Sequence, residues 1–480
     1  MTRDSLLNED WASVVTQLGG AAQLESSARQ TKAFVRQRRI PDAVALLRLM
    51  LAYCLGERGL RSTAAWAASV GLANLSSVAL FYRLRQCGDW FTVLVERLLA
   101  AAAPKASRGR LIRIIDATTV PQAGPAARKN SELWRIHSAF DLPYERFGHF
   151  ELTDQQEGET FDRIPVVKGE IRIADRAYLQ PDRISAVLEA GADVLIRAGW
   201  KNARWLDAKG YPLDLIAELR AGNARGLIDR PIWIKRKAGA PLAMRLIAVK
   251  KSADAAAASR RKARRDAQDE NRTISKETLE AADWVILVTS LAPDEFTVED
   301  VLALYRLRWR IELGFKRLKS LIGLKTPPGT DPRSAKPYLL AHLLIILLLE
   351  PLVREFEDSP TGRRPPDDTW RLACLAATHC VLATSNHSTT NHPPPPSQQT
   401  GTGPAPLRAT SKTTISIDAR IILTPMGKTG RWPRPWPACR KESRRQSPQV
   451  WPKLPAFPAR WLYGLYEVSP GTGFLAPVCA

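Results

Sequence analysis

Residues 169–178 read GEIRIADRAY. A short β-branched run, EIRIA, stops at an acid, Asp175. Residues 110–120, RLIRIIDATTV, have the same design and set Asp116 behind a second run of this kind. β-Branched residues favour strands, so both stretches read as strands with a carboxylate at or near the end. DVLIRAGW (193–200) reads as a third strand, after a helix-like stretch at 181–190. Strands separated by helical segments predict an α/β sheet. Such a sheet usually builds its site at strand ends.

Downstream, residues 298–324, VEDVLALYRLRWRIELGFKRLKSLIGL, predict one long amphipathic helix that ends at Gly323 before Pro327 and Pro328. At 100° per residue, Tyr305, Arg308, Glu312, Lys316 and Lys319 share a stripe about 80° wide. Leu304, Leu307, Ile311, Phe315 and Leu318 line another side, suited to packing on a sheet. The polar stripe suits a phosphodiester chain, which Arg and Lys bind and Tyr can stack on or hydrogen-bond. Glu312 has a plain use, as the partner of Arg308 or Lys316. Together with Asp116 and Asp175 it has another. Three converging carboxylates repel and raise one another's pKa values, and two hard cations about 3.5–4 Å apart would remove the conflict and clamp a phosphoryl displacement.

The rest of the chain sets the frame. Its 480 residues exceed one compact core and predict several domains. With 70 Lys+Arg against 48 Asp+Glu, the net charge of +22 predicts a polyanionic partner, nucleic acid before an anionic membrane surface. Residues 40–59 read as a helix closing on Gly59. STAAWAASVGL and NLSSVALFYRLRQC then form two helices across a Gly71 turn, the second starting near Ser76 or Ser77 and carrying Arg83 and Arg85. That pair resembles a helix-turn-helix. Residues 201–283 look like an insertion. RPIWIKRK and APLAMRLIAVKK read as antiparallel strands, and SRRKARRDAQDENR as a basic helix that is either a solvated face or a contact for phosphates. ADWVILVTSL (282–291) returns to strand.

Six cysteines, at 54, 87, 374, 380, 439 and 479, form no CxxC pair, so a disulfide framework or zinc site is not expected and the thiols suit a reducing cytoplasm. The first residues lack the pattern of a signal peptide. YLLAHLLIILLLEPLV (338–353), interrupted by His342 and Glu350, is shorter than a membrane span and reads as a buried core helix. His137 and His149 are isolated, and Asp154, Asp162 and Asp182 follow no comparable β-branched run. Residues 385–480 hold 16 of the 35 prolines, with 12 Lys+Arg and three acids. They predict a disordered or loosely folded tail, and the break in composition suggests out-of-frame sequence.

Tyr305-x2-Arg308-x3-Glu312-x6-Lys319 matches the Y-R-E-K signature of the insertion-sequence-four family of DDE transposases. IIDATTV resembles that family's first acidic motif and ADRAY its second. The resemblance spans roughly residues 40–350. It implies an RNase H-like core with a β-rich insertion, preceded by an all-α N-terminal domain. On this reading 1–105 is a helical DNA-binding domain and 106–200 the first part of the catalytic core. The insertion is then 201–283, the second part of the core 284–355, and the C-terminal region 356–480. The resemblance implies that Asp116, Asp175 and Glu312 are catalytic and hold two Mg2+ ions, with Mn2+ a possible substitute. It also implies that Tyr305, Arg308 and Lys319 contact the terminal nucleotides of the element.

Two further positions are similar by spacing: Arg197 to a phosphate-contacting Arg, and Trp284 to a Trp that stacks on a flipped base near a DNA hairpin. For each there is a structural alternative, a surface ion pair for Arg197 and a core indole for Trp284. The implied activity is cleavage at transposon ends and transfer of the freed 3′-hydroxyls into target DNA, by a cytoplasmic enzyme acting as a homodimer on double-stranded DNA. The absence of a GxxxxGK[ST] phosphate loop fits phosphoryl transfer without an external energy source. Two other readings are a non-catalytic DNA-binding regulator and an RNase H-like nuclease without strand transfer.

Overall fold

The structure, a computed structural model, describes residues 11–56, 58–101, 110–123, 133–154, 157–357 and Val381. The tail beyond 385, the segment WRLACLAATHC and Cys374, Cys380, Cys439 and Cys479 lie outside these residues. Cys54 and Cys87 are free and buried.

Nine strands form one sheet: β1 Ile112–Pro121, β2 Leu133–Asp141, β3 Arg146–Asp154, β4 Ile171–Ala174, β5 Asp193–Arg197, β6 Trp205–Leu206, β7 Leu227–Ile234, β8 Leu242–Lys250 and β9 Trp284–Thr289. Their order is β3-β2-β1-β4-β5-β9-β8-β7-β6. β1, β4 and β5 are parallel neighbours, and the other pairings are antiparallel. The three expected strands at 110–120, 169–178 and 193–200 are therefore adjacent. β2 and β3 are not among the runs that the sequence reading picked out. The antiparallel pair expected at 201–283 is β7 and β8, and through β9 it continues the same sheet.

Alternation sends successive side chains to opposite faces. Ile115, Ala174, Val194, Ile196, Trp284, Ile286 and Val288 join one apolar cluster, with Ile184 and Val187 of helix Pro181–Glu189 and Leu215, Ile216 and Leu219 of helix Leu215–Ala221. Ile171, Ile173, Leu195, Ile247, Val285 and Leu287 join another on the opposite face, with Phe296 and with Val301, Leu304 and Tyr305 of helix Val298–Arg306. The sheet centre is thus apolar on both sides, as a sheet covered on both faces must be.

An ionic network lies beneath the chain's acid motifs. Arg113 pairs with Asp141 (2.7 Å) and Glu170 (3.1 Å), and Arg172 pairs with Glu170 (2.6 Å), all four being buried. Arg172 also donates to the carbonyls of Phe161, Ile164 and Pro165. A buried guanidinium needs such partners to offset its desolvation, and here they tie the loop before β4 to the sheet.

The elements described between Gly20 and Ala101 are helices: Gly20–Gln30, Ala43–Leu55, Leu60–Ser69, Ser77–Gln86 and Gly88–Ala101. Helix Ala43–Leu55 is capped by Asp42, whose carboxylate accepts from the Ala45 N–H at 2.7 Å, and it ends at Gly56 rather than at Gly59. Helices Leu60–Ser69 and Ser77–Gln86 flank a turn in which Gly71 takes φ 68°, a conformation that favours glycine. Ser76 caps the second of them. The expected core helix is Pro332–Glu357, and it packs on Ala43–Leu55, Ser77–Gln86, Gly88–Ala101 and β3. It is long and apolar enough to cross a membrane, but 89% of its most apolar window is buried inside the fold. Glu350 accepts from the Phe147 N–H at 3.1 Å, and Arg48 donates to the Val381 carbonyl.

His342, fully inside this layer, shares Nδ1 with the Tyr338 carbonyl at 2.8 Å, and burial lowers its pKa to about 4. The unfolded chain binds the proton near pH 6.5, so folding favours the neutral ring. This contribution is complete above about pH 6.5 and is lost as pH falls towards 4. Linkage puts the loss at roughly 2 kcal/mol by pH 5. Urea melts at pH 7 and pH 5 test this: His342→Leu should flatten the pH slope by about one proton. An unchanged slope would show that His342 titrates normally.

The expected continuous helix over 298–324 is broken in two. Helix Val298–Arg306 gives way to tightened bonds, Leu307 N–H to the Leu304 carbonyl and Arg308 N–H to Tyr305, before helix Trp309–Lys316 resumes. A π-helical turn, Arg317–Leu321, follows, and Gly323 at φ 79° ends it. Leu304 packs under the sheet centre, whereas Ile311, Phe315 and Leu318 join the helical layer. One straight helix would not serve both clusters, and this is the physical reason for the break.

Gly314 sets how closely Trp309–Lys316 approaches β2 and β3. A Cβ there would lie 2.8 Å from Phe147 Cζ, and Phe147 is held by Phe140, Phe150 and Phe315. Gly314→Val should destabilise the fold by about 2 kcal/mol. Gly314→Ala should cost less, because alanine regains up to about 1 kcal/mol of helix propensity. Urea midpoints read the difference, and a Val variant as stable as wild type would refute the contact.

Candidate active site

Strand register assembles the site. β1 pairs with β4 up to Ile115 opposite Ala174, and β4 with β5 up to Ala174 opposite Ile196. The next residues on the three parallel strands are Asp116, Asp175 and Arg197, which form one lateral row. Each lies two positions beyond Ile114, Ile173 or Leu195, so all three belong to the face covered by Val298–Arg306 and Trp309–Lys316. Asp116 is in the middle of β1, opposite Ser138 of β2, and not at a strand end as the sequence suggests. The strand runs on because β2 keeps pairing after β4 has stopped.

Asp175 caps a 3-10 turn, accepting from the Ala177 N–H at 2.7 Å, and Asp116 accepts from the Ala117 N–H at 2.8 Å. Arg308 spans two acids, reaching Asp116 at 3.3 Å and Glu312 at 2.6 Å. The break after Arg306 lets the side chain reach down to β1. The broken helix thus still puts Arg308 and Glu312 side by side, but Tyr305 is buried beneath them, near Arg197, Arg308 and Asp175. Burial raises its hydroxyl pKa. Lys319 turns to β1 and donates to the Thr119 carbonyl at 3.0 Å, and burial lowers its ammonium pKa.

Burial pushes the Asp116 carboxyl up to about 7, with Asp175 and Glu159 adding repulsion; the Ala117 amide and Arg308 act in the opposite direction. Glu159 is thus a fourth acid of the site, and the sequence reading passed it over. It lies 3.7 Å from Arg135, and burial followed by Asp175 raises its pKa against the pull of Arg135. It follows no strand, and only the loop that Arg172 anchors brings it here. The buried Tyr178 hydroxyl, with no hydrogen-bond partner among the described residues, feels Asp116, Glu159 and Asp175.

Among the described residues no three of His, Cys, Asp and Glu are gathered closely enough to hold a metal ion. The Arg308 guanidinium stands between Asp116 and Glu312. The donor set nevertheless fits a hard divalent cation: hard carboxylate oxygens on and beside adjacent strands, one of them pushed up to about 7 by burial, with Asp175 and Glu159 adding repulsion. Trp284 is not brought to this row. It is 5% exposed and points with Ile286 and Val288 to the opposite face. The core-indole reading therefore describes its place, and alternation from Leu287 is the reason. His137 bonds Thr153 at 2.8 Å, and burial lowers it to about 4. Asp162 and Asp182 pair with Arg183 and Arg236.

Acids able to hold hard cations, beside Arg308, Arg197 and Lys319, suit a polyanionic substrate, which the cations and the basic side chains would attract. The class is that of metal-dependent enzymes acting on the phosphodiester bonds of nucleic acid. The chain belongs to the transposase DDE domain family, which matches residues 107–348. It is 38% identical over 360 residues to an Escherichia coli (strain K12) protein named as transposase InsL for insertion sequence element IS186A, covering 74% of this chain and 96% of that one. The Escherichia coli transposase for insertion sequence element IS421 is 37% identical over 361 residues, with the same coverage. A chain of a piggyBac transposase synaptic complex with hairpin DNA aligns at a TM-score of 0.42 and 8% identity, covering 81% of this chain and 83% of that one. The protein is thus an enzyme of DNA transposition, a DNA-binding DDE transposase of an insertion sequence, in a family that depends on divalent metal.

Proposed function

We propose that the protein moves its element by cut and paste: hydrolysis at the transposon ends frees 3′-hydroxyls, each attacks the opposite strand to close a DNA hairpin and release the flanking DNA, water opens the hairpin to regenerate the 3′-hydroxyl, and that hydroxyl attacks target DNA in strand transfer. The lateral row of Asp116 and Asp175, with Arg308 joining Asp116 to Glu312, carries this reading. Asp116, Asp175 and Glu312 would hold two divalent cations, Mg2+ or in its place Mn2+. When bound, the ions supply the positive charge that attacking and leaving oxygens need.

The chain's own residues do the rest. With Glu312 as a ligand of the cations, Arg308 would be left to offer its guanidinium to a phosphate, a bidentate partner for it. Arg197, at the end of the row, and Lys319, beside β1, contact the backbone on either side. Tyr305, beneath them, braces Arg308. The helix pair Leu60–Ser69 and Ser77–Gln86 contributes to end binding. Of its three arginines, Arg61, Arg83 and Arg85, the last is paired with Asp331 at 2.9 Å, which leaves the exposed Arg61, Arg83 and the exposed Tyr82 as the groups facing DNA. Two copies act on paired ends.

A second reading, an end-binding regulator without cleavage, is favoured by one observation: Glu312 is bound to Arg308 and not grouped with the aspartates. Purified protein incubated with labelled duplexes bearing the element's ends separates the two. Cleavage, hairpins and joined products in Mg2+, absent with a chelator, support cut-and-paste transposition. Binding without cleavage supports the regulator, and cleavage without joining of pre-cut ends supports a nuclease.

A further inference from the structure

The excursion between β8 and β9 opens on the catalytic edge of the sheet. Lys250 pairs with Trp284, so the chain leaves and returns at one point. β9 runs antiparallel to β5, which puts that point beside the end of β5, where Arg197 closes the acid row. The excursion is pinned there. The Lys251 N–H donates to the Asp283 carbonyl at 2.8 Å, and the Lys251 ammonium donates to Ser259 Oγ at 2.8 Å and the Ala282 carbonyl at 2.7 Å. Arg260 pairs with Asp283 at 2.5 Å. Lys251 is also close enough to Arg197 to feel its charge.

Beyond this anchor, helix Ala253–Asp269 exposes Arg261, Lys262, Arg264 and Arg265. None of the four makes an ion pair among the described residues, whereas Arg260 on the same helix and Arg220, Arg230, Arg236 and Arg245 elsewhere within residues 201–283 each hold a carboxylate. Arg261, Arg264 and Arg265 line one shallow hollow. Like charges at this spacing destabilise a helix, and the cost persists unless an anion offsets it. The four span about 6 Å of helix axis. Duplex DNA carries one charge per about 1.7 Å of axis with both strands counted, so the four cations are matched by roughly three to four phosphates across the two strands.

We propose that this face is a docking surface for the phosphate backbone of duplex DNA, continuing the line Asp116–Asp175–Arg197 outward and holding the stretch of duplex flanking the bond to be cut. The proposal rests on the transposase reading and adds a place for that DNA. It is tested with full-length protein carrying Arg261→Gln, Lys262→Gln, Arg264→Gln and Arg265→Gln together, exposed changes that remove the like-charge repulsion and should leave the thermal melt no lower than that of wild type. Fluorescence anisotropy is read from 50 to 300 mM salt on two duplexes, one ending at the cleavage point and one extended past it. On the extended duplex the variant should bind roughly 10- to 100-fold more weakly at about 0.1 M salt, with a log–log salt slope shallower by about three. On the short duplex it should match wild type, and Lys at all four positions should restore the slope. An unchanged slope on the extended duplex overturns the docking surface and leaves the transposase reading intact. Equal weakening on both duplexes overturns the flanking position. Failure of wild type to bind either duplex overturns the transposase reading itself.

Discussion

Asp116→Asn and Asp175→Asn are each expected to lower end cleavage at least ~10³-fold while end binding stays within about threefold of wild type. The amide keeps the shape and the N–H contacts made by the first carboxylate oxygen but cannot supply a charged hard ligand. Glu312→Gln should do the same, since Arg308 already holds this carboxylate ready beside Asp116. The Asp116 variant carries a second signature. Its carboxyl sits near 7 when folded against an ordinary value of 3.8, so ionisation opposes folding increasingly as pH rises from about 4 to 7. Asp116→Asn removes that opposition and should melt higher than wild type in chelator at pH 7 while being inactive. A variant that cleaves normally would remove its residue from the site. An Asp116→Asn protein that melts lower would remove the burial cost assigned to this carboxylate.

The second large effect is expected at Arg308. Its guanidinium is the counter-charge holding Asp116 and Glu312 together without metal. Arg308→Gln should leave both carboxylates short of positive charge and lower cleavage by roughly 100-fold, the scale of losing a charge-assisted bidentate contact. It should also make the fold more responsive to metal. Thermal melts with and without Mg2+ should show a larger rise for the variant than for wild type, because ligand binding to the native state stabilises it by mass action. Arg308→Lys should recover part of the metal-free stability but little cleavage, because an ammonium does not span both acids. An equal rise in the two proteins would mean that Arg308 serves DNA alone.

The parallel core was readable because EIRIA, RLIRII and DVLIR are β-branched runs with no competing period. β2 and β3 are not legible in the sequence because LWRIHSAFD and RFGHFELTD mix cations and histidines with their apolar residues and so carry no clean strand period. The acids were legible singly, yet their common row depends on register between strands, which no local pattern states. The same limit explains Trp284: WVILVT is apolar at every position, so nothing in it says which face the indole takes. Glu159 depends on the contacts of Arg172 and was out of reach for the same reason. The break after Arg306 is a demand of two separate clusters, invisible in a stretch whose apolar spacing runs on unbroken.

The strands at 205–250 continue the catalytic sheet through β9 without an interruption in hydrogen bonding. An engineer could not treat them as a removable cassette. Excising them would strip β9 of a neighbour along its whole length and leave β5 bordering a raw edge, and chimeras between relatives should tolerate crossovers in the helical layers better than anywhere inside this single woven span.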